Sequence, residues 1–518
     1  MVFLGVMLLS LALVPLLGRD FFPAVDSGQI ALHVRTPAGT RIEQSSVTFA
    51  QVQRQIRRVI PDEEIETVVD NIGISLAPLN NIYANSGTVG TNEGDILITL
   101  AEVHGDTDGY VRALRHQLPL SFPGVDFAFL PADMTSQILN FGSPAPIDVQ
   151  IRGRNIPENQ QYAQKLLKRL RQIPGLADAR IQQSTRYPQL NIDVDRARIA
   201  QYGLSQRDVT SSLATALAGT AQSSPVFYLN PENGVSYPVV AQLPERDVGS
   251  VAELAALPVA GGANAASQTL GGLGQITRSN TLSVVSKYDI QPVINIYATT
   301  QGRDLGAVAA DVNVAIAALE RDLPKASTVT LRGQYETMNI AFTGLAFGLI
   351  AAIVLIYLVI VVNFQNWIDP LVIIGALPAA LAGIAWMLFL TGTTLSVPAL
   401  IGAIMAMGVS TANAILVVSF ARERLAETGN AATAALEAGM VRLRPVLMTA
   451  LVMIIGMSPM ALALGEGAEQ NAPLGRAVIG GLAFATIATL VLVPALFALA
   501  HRKGAPKTRT IELEPSHA

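Results

Sequence analysis

The sequence contains no cysteine, which excludes disulfides, thiolate nucleophiles and Cys-ligated metals. Histidine is scarce as well. His33, His104, His116, His501 and His517 never approach a metal-ligand spacing, and each reads as a solvated surface residue. No HExxH, phosphate-binding glycine loop or GxSxG occurs, so the expectation is a protein that is not an enzyme. Only 14% of residues are charged, the net charge is -4, and no basic stripe marks a nucleic-acid surface. Methionine is sparse between residues 19 and 340, where Met134 and Met338 stand alone, so a soft-metal route lacks ligands there.

What the chain has is carbon, unevenly placed. Half of its 518 residues are apolar. Runs at 2–18, 341–363, 370–391, 396–420, 445–464 and 476–500 each approach the roughly 20 residues that a bilayer core requires. The first run could instead be a signal peptide, but it lacks a basic start and a small-residue cleavage site. Pro378, Pro398, Pro459 and Pro494 interrupt the later runs, which membrane helices tolerate when neighbours re-satisfy the backbone. No Asp, Glu, Lys, Arg or His lies well inside any of the six. Arg422, Arg424, Arg442, Arg444, Arg502, Lys503, Lys507 and Arg509 gather on one side of these runs, which the positive-inside rule assigns to the cytoplasm. Six spans then leave both ends inside and residues 19–339 outside.

The external stretch repeats one pattern, strand then helix then strand. The first unit joins "QIALHVR" at 29–35 to "EIETVVDNI" at 64–72, with Thr40 and Glu43 spaced as a capping box. The second runs from "DILITLAEV" at 95–103 to "VDFAFL" at 125–130. A third leads from "PIDVQIRG" at 146–153 through a helix stopped by Pro174-Gly175. The fourth couples "PVINIYA" at 292–298 to "TVTLRG" at 328–333. Two such units make a split βαβ, ferredoxin-like sandwich. The residues between the third and fourth units read as an inserted α+β domain, with a Ser205/Asp208 capping pair and a Gly/Ala-rich loop, hairpin or linker at 260–274. The fold class expected is therefore a six-span helical bundle plus an external α+β domain. "ARERLAETGNAATAALEAGMVRLR" at 421–444 reads as an interfacial amphipathic helix.

"FFPAVDSGQIALHVRTPAGTRIE", "ILNFGSPAPIDVQIRGRN", "YDIQPVINIYATTQGRDLG", "GVSTANAILVVSFA" and "RLRPVLMTALVMIIGMSPMAL", in this order, resemble the C-terminal half of a resistance-nodulation-division (RND) efflux transporter of the hydrophobe/amphiphile type. The resemblance covers essentially the whole chain. It implies a first membrane helix at 1–18, a porter subdomain within 19–142, a second porter subdomain split into 143–187 and 287–340, a docking subdomain at 188–286, five membrane helices at 341–500 and a cytoplasmic tail at 501–518. It also implies an inner-membrane pump driven by the proton gradient without a cofactor. That pump exports small amphiphilic compounds as a trimer, together with an N-terminal half, a periplasmic adaptor and an outer-membrane channel.

By the same resemblance Ser410, Thr411, Asn413, Thr449 and Arg442 support a proton relay. Many relatives carry a lysine where this chain has Ala412, so the acids of the relay would come from a partner helix. Ser410, Thr411 and Asn413 can equally serve plain helix packing, and Arg442 a positive-inside anchor. Leu76, Leu79, Tyr83 and Phe141 fall where the family lines its substrate path, the first three on a loop longer than usual. A membrane scaffold or a protein-export accessory of the same architecture is the alternative function.

Overall fold

The computed structural model describes residues 5, 7, 9, 10, 12–74, 87–140, 143–261, 267–465 and 467–502. They form two compact units, Met1–Gln183 with Val285–Ala518, and Ser184–Val284. The borders read from the sequence at 188 and 286 thus fall slightly earlier.

In the first unit, β1 (Gln29–Arg35) alternates Ile30, Leu32 and Val34 with Ala31, His33 and Arg35, and the two sets point to opposite faces. The aliphatic set meets α1 (Ile42–Val59), which buries Phe49, Val52 and Ile56 along one helical stripe. Thr40 does not cap α1. Its hydroxyl donates to the Pro37 carbonyl in the preceding turn (2.7 Å), Arg41 takes the cap position, and Glu43 pairs with Arg41 instead. The chain continues through β2 (Ile65–Ile72), β3 (Glu93–Leu100), α2 (Thr107–Ser121) and β4 (Asp126–Leu130). The antiparallel sheet has the order β2-β3-β1-β4.

The same order recurs in a second sheet. β5 (Ile147–Arg152), α3 (Ile156–Leu170) and β6 (Leu176–Ile181) precede the second unit; β7 (Ser286–Tyr288), β8 (Gln291–Thr300), α4 (Leu305–Ala318) and β9 (Thr328–Gly333) follow it. β8 pairs with β6 and β7 on one side and β5 on the other, and β9 lies outside β5. Tyr162, Leu166 and Leu170 of α3 and Leu305, Val308 and Val312 of α4 fill the core beneath this sheet.

The second unit has a core of its own, with Ile199, Leu204, Val209, Leu254, Leu257 and Leu273. Strands Tyr187–Val194 and Gly274–Thr281 pair antiparallel. Ser205 and Asp208 close a capping box on helix Gln206–Ala218. Short strands at Pro258–Val259 and Gln268–Thr269 flank the Gly/Ala-rich stretch.

Among the described residues five spans are long and apolar enough to cross a membrane. They are α5 (Gln334–Phe364), α6 (Ile368–Ile374) continued by α7 (Leu377–Leu390), α8 (Val397–Thr428), α9 (Ala431–Ala461), and α10 (Ala472–Ile487) continued through a π turn by α11 (Val493–Ala500). Part of the first apolar run lies outside the described residues; of the rest, Ser10 accepts a hydrogen bond from the Trp386 indole (2.9 Å), and Leu13 and Leu17 pack on the bundle.

The stretch 421–444 is not a separate interfacial helix. It is the continuation of α8 and α9, which meet at Gly429 (φ +68°) and at Asn430, whose side chain caps α9. Two of its arginines are held by groups at the bundle's own end. Arg422 donates to the Phe364 carbonyl (2.8 Å) and lies 3.8 Å from Asp369, and Arg424 lies 3.7 Å from Glu437. The helix limits also bring Asp369 into a span read as starting at 370. It is 1% exposed and faces His501 at 3.3 Å.

Close backbone approach holds the bundle together. A Cβ on Gly480 of α10 would stand 2.6 Å from the Gly383 carbonyl of α7, and one on Gly481 2.8 Å from the Ala406 side chain of α8. Small residues at such crossings replace the hydrophobic drive that lipid does not provide. Gly480→Leu is therefore expected to part α7 from α10 and lower the melting temperature of the detergent-solubilised chain, with a loss of about 1–3 kcal/mol. Leu166→Ala, in the second external core, is expected to cost about 2–5 kcal/mol, read as earlier thermal unfolding of the external part while the span region keeps its helical signal.

Candidate functional site

The polar residues of α8 part company in three dimensions. Asn413 turns toward α9, where the Thr449 hydroxyl donates to its Oδ1 (3.1 Å). Thr411 returns its hydroxyl to the Met407 carbonyl one turn back (2.9 Å). Ser410 is 1% exposed and its hydroxyl has no partner. Arg442 lies two turns from Thr449 along α9, about 10 Å by helix rise, and stacks over Phe420 at 5.0 Å. The structure thus joins Asn413 to Thr449 and leaves Ser410, Thr411 and Arg442 apart from that pair. Ala412 and Thr449 sit on the exposed side of their helices. Leu76, Leu79, Tyr83 and Phe141 lie outside the described residues.

A second polar cluster lies where the two external sheets face each other. The cross-strand register sets His33 opposite Asp95 and Arg35 opposite Glu93. His33 is not a surface residue: it is 1% exposed, because the second sheet covers this face of β1. Its Nδ1 meets Asp95 at 2.8 Å, which leaves Nε2 without a hydrogen-bond partner among the described residues, 3.8 Å from Glu93. A carboxylate on one ring nitrogen fixes the tautomer and directs the bare lone pair of the other. Arg35 lies 2.6 Å from Glu93 and donates to the carbonyls of Ile181 and Gln182 on the second sheet.

Further along the seam Arg115 grips Asp178 through two bonds (2.9 and 2.7 Å), and Asp178 also accepts from the Phe129 amide. On the second sheet Asn295 joins Asp148 and Gln183 (2.9 and 3.0 Å). Burial shifts the protonation of His33, Arg180 and Asp148. It pushes the His33 pKa below its ordinary value, with Arg180 adding to the shift against Asp95 and Glu93. It lowers Arg180 to about 10, helped by Arg35, and raises Asp148. Among the described residues no three His, Asp or Glu side chains converge as a ready metal set; His33 and Glu93 offer two donors.

Sequence reasoning missed this seam although its signal was present. His33 and Arg35 alternate on one strand, Glu93 and Asp95 on another, and opposite charges at matching spacing are what a cross-strand ladder pairs.

Below the seam, a cavity of about 560 Å³ opens between the external sheets and the loop that joins α9 to α10. Asp20, Asp26, Asp106, Asp108, Asp133 and Glu469 line it, against Arg115 and Arg303. Both arginines are already engaged, with Asp178 and Asp311, so the cavity's field is negative. Asn140, 2% exposed, lines it with an Nδ2 that has no hydrogen-bond partner among the described residues.

Comparison with known proteins fits this architecture. The model of the AcrB/AcrD/AcrF family matches residues 1–501. The cobalt-zinc-cadmium resistance protein CzcA of Cupriavidus metallidurans is 29% identical over 504 residues, covering 96% of this chain and 46% of that protein. The nickel-cobalt-cadmium resistance protein NccA of Alcaligenes xylosoxydans xylosoxydans is 31% identical over 526 residues, covering 97% and 47%. A crystal structure of a heavy metal efflux pump superposes with a TM-score of 0.78 at 27% identity, over 97% of this chain and 51% of that one. The chain spans about half the length of the relatives it matches. With paired split-βαβ sheets, an insert between their halves and an apolar bundle behind them, the chain belongs to the AcrB/AcrD/AcrF family of RND efflux transporters.

Proposed function

We propose that this chain is the C-terminal half of a proton-driven inner-membrane export pump whose cargo is a divalent transition-metal cation. The observation that carries the cargo is the bare Nε2 of His33 beside Glu93, with Asp95 orienting the ring from behind. Nitrogen and oxygen donors suit borderline ions such as cobalt, nickel and zinc, whereas the lack of cysteine and the few methionines disfavour soft ones. The relatives are named for resistance to cobalt, zinc, cadmium and nickel, which favours a metal over the amphiphiles implied by the sequence resemblance. Cargo would collect in the acidic cavity and reach the imidazole when the seam parts and Arg35 leaves Glu93. The amphiphile reading retains one supporting observation, the Phe21, Phe22 and Leu139 walls of the same cavity.

Energy would come from the proton gradient, with no cofactor. Asn413 and Thr449 would order water or orient acids supplied by an N-terminal half across the exposed stripe at Ala412, and Ser410, Thr411 and Arg442 would support that relay from further away. Complete protomers would assemble as trimers with a periplasmic adaptor and an outer-membrane channel.

The test is cobalt and zinc binding to the purified chain, followed by transport in liposomes that hold it with its N-terminal half. His33→Gln is expected to weaken cobalt binding at least about 10-fold, and Asp95→Asn by a similar factor through the ring's orientation. Export of a cationic dye with no metal movement would instead favour the amphiphile reading. Thr449→Val is expected to slow gradient-driven export and change its pH profile while leaving cobalt binding intact; equal binding and unchanged kinetics would remove Asn413 and Thr449 from the relay.

Acidity supplies a further check. The folded His33 binds its proton more weakly than an unfolded histidine, so its contribution is complete above about pH 6.5 and is lost as pH falls below that value. The melting temperature is expected to drop between about pH 7.5 and about pH 5.5, and less steeply in His33→Gln.

A further inference from the structure

Where the chain leaves its first apolar run, Gly18–Phe21 touches two elements that lie far apart in sequence. On one side it zips to the segment that opens α8. Asp20 N–H donates to the Leu395 carbonyl (3.1 Å), Leu395 N–H to the Gly18 carbonyl (2.7 Å), and Val397 N–H to the Phe21 carbonyl (3.1 Å). The pairing is parallel, with Arg19 opposite Leu395.

On the other side the same four residues hold the first turn of α4. Leu305 N–H donates to Asp20 Oδ1 (2.8 Å) and Gly306 N–H to the Arg19 carbonyl (2.8 Å). Asp304 closes the grip from the helix side, accepting from Ala307 N–H (2.8 Å) and from Arg19 N–H (2.9 Å). The two backbones approach too closely for larger residues. A Cβ on Gly18 would stand 2.9 Å from Asp304, and one on Gly306 2.8 Å from the Arg19 side chain.

Two helix N–H groups that have no partner within α4, those of Leu305 and Gly306, are thus satisfied by the segment bonded to the start of α8, and a third, that of Ala307, by the cap residue Asp304. α8 is the span that carries Ser410, Thr411 and Asn413. α4 packs Leu305, Val308 and Val312 into the core under the second sheet. We propose that this node is a rigid joint through which the start of α8 and the external helix α4 move as one body, with Asp20 and Asp304 as its positioning residues. The export reading supplies the movement to be transmitted; the joint itself stands on the bonds just described.

The absence of native cysteine allows a direct test on the whole chain in lipid nanodiscs. Spin labels at Val314→Cys on α4 and Ile401→Cys on α8, positions 68% and 40% exposed, report the distance between the two helices. The distribution is expected to be narrow in the parent and to broaden about twofold in Asp20→Ala/Asp304→Ala, because the carboxylate bonds to the Leu305, Ala307 and Arg19 amides are lost. Asp20→Asn/Asp304→Ser keeps an acceptor at both places and is expected to restore the narrow distribution. An unchanged width in the alanine pair overturns the joint, whatever the chain transports.

A second variant covers the case in which the alanine pair does not fold. Val314→Cys/Ile401→Cys leaves the node untouched, and with its two thiols joined by a reducible crosslinker of the measured length, liposomes holding it with the N-terminal half are expected to export cobalt at the uncrosslinked rate or above. Loss of export on crosslinking, restored by reductant, shows that the two helices separate in every cycle and overturns the proposal. Failure of the parent pump to export cobalt counts against the metal reading alone, since the distance measurement stands without it.

Discussion

Between the two external sheets, the Arg35 guanidinium reaches Glu93 on its own sheet and two carbonyls on the other. A guanidinium keeps its charge in a protein, so taking it out of water demands a full set of acceptors. That demand orders the whole seam. Glu93 is held by Arg35 and stands beside His33; His33 is held by Asp95; Arg180, deeper still, loses some affinity for its proton because it is buried and because Arg35 is near. Such a layer contributes less to stability than a hydrophobic core of equal area. It does make the closed arrangement specific, and it gives a cation something to displace when the sheets separate.

The membrane half meets the same constraint by avoidance. Charges stay at the ends of the spans, where Asp369 has Arg422 and His501. The middle of α8 offers only hydroxyls and one amide, and the hydroxyls of Thr411 and Ser419 return to backbone carbonyls. Without charges or a hydrophobic drive, helices must approach closely to gain packing energy, and α10 does so with Gly475, Gly480 and Gly481 against three neighbours. The Gly18–Phe21 segment ties α8 of this bundle to the external helix α4.

The split-βαβ order, the insert and the apolar spans were legible in the sequence because each rests on periodicity within about ten residues. Apart from Thr40, misreadings arose where a distant element settled the outcome. Thr40 lost its cap role to a local turn, and residues 421–444 became helix ends because Phe364 and Asp369 accept Arg422. His33 looked solvated because only one face of β1 can be covered by its own helix; the second sheet covers the other.

Alternation and span length thus decided by themselves which residues form strands and helices and which stretches enter lipid, since both patterns follow from backbone geometry alone. Which polar groups meet was decided by tertiary structure. His33 with Asp95 and Glu93, Asn413 with Thr449, and Asp20 with the α4 amides all join residues separated by tens to hundreds of positions. Their pairing depends on desolvation, which acts only after the sheets and helices have closed over them.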